Sequence, residues 1–302
     1  MKVLILGGTG FIGQHVVKKL LEDNCQVTVF DRHADRLKLS GIEAINADFS
    51  DTLSLSESLI GVDKVIHLIS TSVPSSSNKD PVSDIQGNLV NTVKLLEIMR
   101  QSGIKDIVYF SSGGTVYGHP EVLPINESHT NHPVCSYGIV KLAIEKYLHM
   151  YSELYSLNAV ILRPSNPFGP GQTHTGVQGF IGTCIAAALT GKPLTIWGDG
   201  SVKRDYVYVT DVADAAISAL NYSKSDTFNI SSGEGVSLND IIQLVQNESG
   251  KKINLHYQEK RDFDIPEITL DNNKAKQLLG WQPSTSFNDG LHLTLNHAMK
   301  LV

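Results

Sequence analysis

The stretch Lys2–Leu21, KVLILGGTGFIGQHVVKKLL, carries the reading that decides the fold. Five residues of apolar strand lead into glycines at positions 7, 8, 10 and 13. An amphipathic segment follows, with Val16/Val17 and Leu20/Leu21 at helical spacing. The glycines satisfy G-x-x-G-x-x-G at 7, 10 and 13, and G-x-G-x-x-G at 8, 10 and 13. Placed after a strand and before a helix, they permit a tight turn and close approach of backbone to a pyrophosphate. The free N–H groups of the helix then face the anion. The spacing therefore predicts a dinucleotide site on Gly7, Gly10, Phe11, Ile12 and Gly13.

Outward from this loop, a second strand over Gln26–Phe30 ends at Asp31-Arg32. An acid about 20 residues past the glycines accepts hydrogen bonds from ribose hydroxyls and repels a 2′-phosphate. Asp31 thus points to NAD. Arg32 points the other way, because an adjacent guanidinium accommodates that phosphate. Asp48-Phe49, after a third strand, falls where the adenine end would lie.

Further candidate strands are Glu43–Asn46, Lys64–Ile69, Asp106–Ser111 and Asn158–Arg163. They alternate with helix-like segments at Phe11–Asp23, Leu53–Ile60, Val82–Gln101 and Ser136–Leu154. Such alternation predicts an α/β fold, a Rossmann-type doubly wound parallel sheet. After Pro164 the rhythm changes. Helices are expected over Gly179–Thr190, from Thr210-Asp211, and over Ser237–Gln246, the last opened by Ser237 and Asp240. The expected division is a dinucleotide-binding domain over 1–165, rejoined by 205–230, and a smaller C-terminal α/β substrate-binding domain over 166–302.

Composition narrows the function classes. The chain has 302 residues, 41% of them hydrophobic, and a net charge of -6. Nothing there favours a nucleic-acid partner or an anionic membrane surface. The three cysteines, Cys25, Cys135 and Cys184, are widely spaced, and the eleven histidines show no metal-ligand spacing. No metal is expected. No signal-peptide pattern or bilayer-length apolar run is read, so a cytoplasmic enzyme is expected.

CSYGIVKLAIEKYL sets Tyr137 and Lys141 four residues apart, on one helix face. A phenol is a poor base at neutral pH. A neighbouring ammonium favours the phenolate, so Tyr137 is a candidate general base and acid on a sugar hydroxyl.

With these pieces goes a longer series: HLIS (67–70), Asn88, SSGGTVYG (111–118), YGIVK (137–141), RPSNPFGPGQ (163–172), WGDGSVKRDYVYVTD (197–211) and RDFDIP (261–266). Together they resemble an extended short-chain dehydrogenase/reductase, of the NAD-dependent sugar epimerase/dehydratase family typified by UDP-galactose 4-epimerase. The likeness spans essentially the whole chain. It implies that Tyr137 is the catalytic base and that Lys141 binds nicotinamide ribose. It adds Leu68, Asn88, Ser111 and Pro164 to the cofactor residues, Asn88 also as a proton-relay and helix-bending position. Asn166, Arg204, Arg261 and Asp264 become nucleotide-sugar ligands, with both arginines on the diphosphate. Trp197 is read as packing. The resemblance further implies a homodimer formed through a four-helix bundle.

One departure stands out. A Ser or Thr three residues before the Val of VYG usually hydrogen-bonds the reacting oxygen, and here that position is Gly113. Ser112 or Thr115 could supply the missing hydroxyl, or Tyr137 could work without it. Gly114-Thr115 replaces the acid–base pair that a 4,6-dehydratase needs, which disfavours dehydration. Ile268 stands where a bulky Tyr often restricts the sugar, which predicts room for an N-acetylhexosamine. The expected reaction is 4-epimerisation of a UDP-activated hexose or N-acetylhexosamine through a 4-keto sugar. A 4-keto-sugar reductase using NAD(P)H and a non-catalytic dinucleotide sensor are the alternatives.

Overall fold

The computed structural model describes residues 1–172, 179–260 and 265–301. Strands β1 (Lys2–Leu6), β2 (Gln26–Asp31), β3 (Ile42–Asn46), β4 (Lys64–His67), β5 (Asp106–Phe110), β6 (Asn158–Pro164) and the later β10 (Asp226–Ile230) form one parallel sheet. Its order is β3-β2-β1-β4-β5-β6-β10. The strand order reverses between β1 and β4, and a crevice opens at the carboxyl ends of strands at such a point. Leu6 pairs with Phe30, so Asp31 lies one residue beyond, beside the turn that leaves β1.

Both faces of the sheet are covered, as its continuous apolar strands require. On one face α1 (Phe11–Glu22) brings Val16, Val17 and Leu20 against Val3, Ile5, Val27 and Val29. On the other lie α2 (Thr52–Ser58), two short helices α3 (Pro74–Ser77) and α4 (Pro81–Asp84), then α5 (Asn91–Ser102) and α6 (Ser136–Tyr155). Leu95, Leu96 and Met99 of α5 meet Val140, Ile144 and Leu148 of α6 in this second core.

The helix expected over Val82–Gln101 is not uniform. Between α4 and α5 the chain runs as a π-helix over Ile85–Val90. The cause is local. Asn88 Nδ2 donates to the Asp84 carbonyl at 3.1 Å, and Thr92 Oγ1 donates to the Asn88 carbonyl at 2.7 Å. These side chains take carbonyls that the regular ladder would use.

A third core joins β7 (Asn166–Phe168), α7 (Phe180–Thr190), β8 (Leu194–Trp197) and β9 (Lys203–Tyr208) to α9 (Leu238–Ser249) and the last helix α10 (Phe287–Met299). Ser237 and Asp240 form a full capping box on α9. β9 pairs with β7, with β11 (Gly235–Ser237) and with β13 (Glu267–Ile268), while β12 (Leu255–Gln258) pairs with β8. Within the expected 205–230, one part of the chain returns to the main sheet. It consists of α8 (Val209–Leu220), packed on α1, and β10. Residues 205–208 belong to β9, in the small sheet. Among the described residues no helix is long and apolar enough to cross a membrane.

Candidate active site

Two clefts meet at the carboxyl ends of the strands. The first, of 780 Å³, runs over the ends of β2 and β3 and includes Asp31, Arg32, Asp48 and Phe49. The second, of 680 Å³, runs between the two parts of the chain. Gly7, Gly10, Leu68 and Ser70 line both.

Their junction is shaped for a dinucleotide. Gly7 has φ +88°, a left-handed backbone that suits glycine. A Cβ on Gly13 would lie 2.3 Å from the Gly7 carbonyl oxygen, so no larger residue fits there. Gly10 caps α1 with no side-chain hydrogen bond, which leaves the first helical N–H groups directed at the cleft with Phe11 and Ile12. The Asp31 carboxylate accepts from the backbone N–H of Thr9 and of His33, each at 3.3 Å. Asp48 is held below the usual carboxylate range by the Ser50 hydroxyl and N–H. A backbone cradle with a carboxylate beside it fits NAD. Gln86, Asn91 and Lys94 also line this cleft, and the sequence reading missed them.

Asn88 lies one layer behind. It lines neither cleft. Its Oδ1 accepts from Thr71 N at 2.8 Å, and Thr71 does line the first. Asn88 thus supports the wall of the first cleft through Thr71 and stands in the π-helical stretch, where a helix-bending position was expected.

Tyr137 and Lys141 sit one turn apart in α6, and both line the second cleft. Lys141 is buried, and its Nζ donates to the Phe110 carbonyl at 2.8 Å. That nitrogen lies 5.6 Å from the centre of the Tyr137 ring. Burial pushes the Tyr137 phenol up to about 12, against the hydroxyls of Ser70 and Ser112, which lower it. Burial likewise brings the Lys141 ammonium down to about 8. The depression expected of Tyr137 involves the nicotinamide ring as well as Lys141; in the protein alone, burial is the largest influence on the phenol and raises it.

The hydroxyl question separates by position. Ser112 faces Tyr137 in the cleft. Thr115 does not line the cleft, and its Oγ1 is buried without a partner among the described residues. Gly113 has no room for a side chain. A Cβ there would lie 2.3 Å from Leu270 Cδ1 and 2.9 Å from the Arg163 carbonyl oxygen. Ser70 is a further hydroxyl at Tyr137, and only the fold brings it there.

Behind them, Ser111 Oγ donates to Glu145 at 2.5 Å, and Glu145 is paired with Arg163, also at 2.5 Å, in a buried ion pair. Pro164 and Asn166 continue the wall, and Asn166 Nδ2 donates to the Asp205 carbonyl at 2.8 Å. Arg204 reaches the second cleft, with its guanidinium donating to the carbonyls of Lys203 and Ile265. Phe180, Thr195, Val202 and Leu238 form a far pocket that sequence reading did not find. Trp197 joins them. It is 41% exposed and lines the cleft, where packing alone was expected of it.

Ile268 is also placed differently. It is buried in an apolar cluster with Val116, Tyr117, Ile125 and Leu270, and it does not line the cleft. Arg261 and Asp264 lie outside the described residues. Among the described residues no group of three His, Cys, Asp or Glu side chains is arranged to hold a metal.

Residues 3–231 match the model of the NAD dependent epimerase/dehydratase family. The chain is 31% identical to a UDP-glucose 4-epimerase of Mycolicibacterium smegmatis, over 98% of this chain and 97% of the relative. It is also 31% identical to a dTDP-4-dehydro-6-deoxyglucose reductase of Escherichia coli, over 96% and 95%. Among solved structures, the UDP-glucose 4-epimerase of Thermotoga maritima with UDP-glucose superimposes with a TM-score of 0.95 at 32% identity, covering 100% of this chain and 99% of that one. The glycine cradle, the Asp31 carboxylate and the Tyr137–Lys141 pair thus stand in a chain that belongs to the NAD-dependent epimerase/dehydratase family.

Proposed function

We propose that the protein interconverts the C4 epimers of a UDP-activated hexose or N-acetylhexosamine. The carrying observation is that two clefts meet at Gly7, Gly10, Leu68 and Ser70, the second of them lined by Tyr137 and Lys141. One cleft suits NAD, and the other is walled by an arginine and an aromatic pocket suited to a nucleotide diphosphate. NAD, when bound, supplies a reversible hydride acceptor for the sugar carbon.

The side chains do the rest. Tyr137 takes the proton of the C4 hydroxyl and later returns it. Ser112, with Ser70 beside it, orients that proton by hydrogen bonding to the phenol. Lys141, fixed on the Phe110 carbonyl, keeps a positive charge near the phenolate as it forms. Arg204 holds the diphosphate, with Arg261 and Asp264 assigned to the same ligand by family likeness. Trp197 and Phe180 enclose the base and ribose.

The similarity to a 4-keto-sugar reductase favours one rival. Incubation with a panel of UDP-sugars, without added reductant, separates them. Formation of the C4 epimer is expected. Turnover only with added NAD(P)H and a 4-keto sugar would replace epimerisation by reduction. Bound NAD with no conversion of any sugar would leave a sensor. UDP-glucose and UDP-N-acetylglucosamine belong in the same panel, which tests the room for an N-acetyl group expected at Ile268.

We also infer a homodimer. Ile139, Tyr147, Met150 and Leu154 are exposed along one face of α6, beside exposed Val82, Ile85 and Val90 before and at the start of α5. The apolar outer face of α6, with the exposed Val82, Ile85 and Val90 of the helical segment that leads into α5, suits a second copy, in line with the four-helix packing that the family resemblance implies.

A further inference from the structure

We propose that Asp84 is a positioning residue, whose buried carboxylate fastens the loop over the substrate cleft to the first turn of the helix that carries Tyr137. Asp84 ends α4, just before the π-helical stretch, and is 2% exposed. Oδ1 accepts from Ser72 Oγ at 2.7 Å and from Asn88 Nδ2 at 2.8 Å. Oδ2 accepts from Ser136 Oγ at 2.7 Å. Ser72 belongs to the loop that lines the second cleft, and Ser136 is the first residue of α6.

Two neighbouring bonds run between the same segments. Asn78 Oδ1 accepts from Ser136 N, and Asn88 Oδ1 accepts from Thr71 N, each at 2.8 Å. Asp84 therefore sits where the 70–78 loop, the π-helical turn and the start of α6 converge. Among the described residues no lysine, arginine or histidine pairs with it. Hydrogen bonds from Ser72, Asn88 and Ser136 satisfy this buried carboxylate and tie the three segments together through it.

Its charge reaches the reacting groups. The ionisable groups acting on Tyr137 are Cys135 and Lys141 from α6, Tyr109 from β5, and Asp84, with the Ser70 and Ser112 hydroxyls beside them. Asp84 opposes ionisation of Tyr137 and favours the charged form of Lys141. It thus couples loop position to the state of the proton carrier.

This inference rests on Tyr137 as proton carrier, but its main readout needs no turnover. Phenolate absorbance of the NAD-loaded protein is titrated with and without Tyr137→Phe, which isolates the Tyr137 step. In Asp84→Asn, which keeps the shape and removes the charge, that step should move to lower pH by roughly half to one unit. Ser72→Ala keeps the charge and unties the loop, and should raise KM by roughly threefold or more with kcat nearly kept. An unmoved Tyr137 step, or an unchanged KM in Ser72→Ala, overturns the proposal. If Asp84→Asn fails to fold, Ser72→Ala and Ser136→Ala carry the test through KM and kcat. Failure of the epimerase reading shows separately, as an unaltered protein that converts no sugar.

Discussion

Tyr137 and Lys141 show how one environment moves two proton affinities in opposite directions. Both groups are taken from water, so the neutral form of each gains. For Lys141, the folded value of about 8 lies below its ordinary 10.5. The unfolded chain binds the extra proton between these values, so stability rises with pH across that window. Below pH 8 the full penalty is present. Lys141→Met should therefore unfold at higher temperature than the unaltered protein near neutral pH, by an amount on the order of 2–3 kcal/mol. The difference should shrink as pH approaches 10.5, and thermal scans across pH would check it. Activity should be lost in the same variant, since the residue trades stability for chemistry. The hydroxyls separate in the same manner. Ser112→Ala should lower turnover tenfold or more, because it removes the hydroxyl that favours ionisation of the phenol. Thr115→Ala should leave turnover within a fewfold. Equal effects of the two changes would contradict the positions described.

At the scale of elements, the ion pair between Arg163 of β6 and Glu145 of α6 is the firmest link behind the site. Its side chains are 5% and 1% exposed, and the Arg163 guanidinium also lies 4.8 Å from the Tyr117 ring centre. Removing one partner strands a buried charge, so Glu145→Ala should cost about 3–5 kcal/mol in denaturant unfolding. Glu145→Leu combined with Arg163→Met should recover most of that loss, since an apolar pair leaves no orphan charge. Recovery of stability without recovery of activity is expected, because Ser111 would have lost its acceptor at the wall of the cleft. The π-helical turn belongs to this scale too. It sets Asn88 and Asp84 on the side facing the 70–78 loop, where a uniform helix would change the angular spacing between them and α5.

For the whole molecule, the proposed dimer rests on the exposed apolar face of α6 and of the helical segment before α5. If that face buries a second copy, Leu154→Glu or Ile139→Glu should convert a dimer to a monomer by sedimentation velocity, with little change in the unfolding of the single chain. Both residues are more than half exposed, at 63% and 54%, so the charges cost nothing in the isolated protomer. An unaltered protein that sediments as a monomer at all concentrations would refute the dimer.

What the sequence by itself determined is local. The glycine loop, the acid closing β2, and the Tyr137–Lys141 pair can be read because each depends on a spacing within one strand–turn–helix or one helix. The parallel order followed from the alternation of elements, and the cofactor followed from Asp31 beside the loop. Side-chain choices near the site were not legible in this manner. Ser112 could not be told from Thr115 until Leu270, 157 positions after Gly113 in the chain, filled the space beside that glycine. The direction of the Ile268 side chain depends on the pairing of β13 with β9, which no local pattern encodes. Ser70, Trp197 and Asp84 acquire their roles only where distant segments meet. The glycines open the site by backbone geometry, which neighbouring residues impose. Which hydroxyl, carboxylate and aromatic ring face Tyr137 is settled by packing between elements, and that is a property of the folded chain alone.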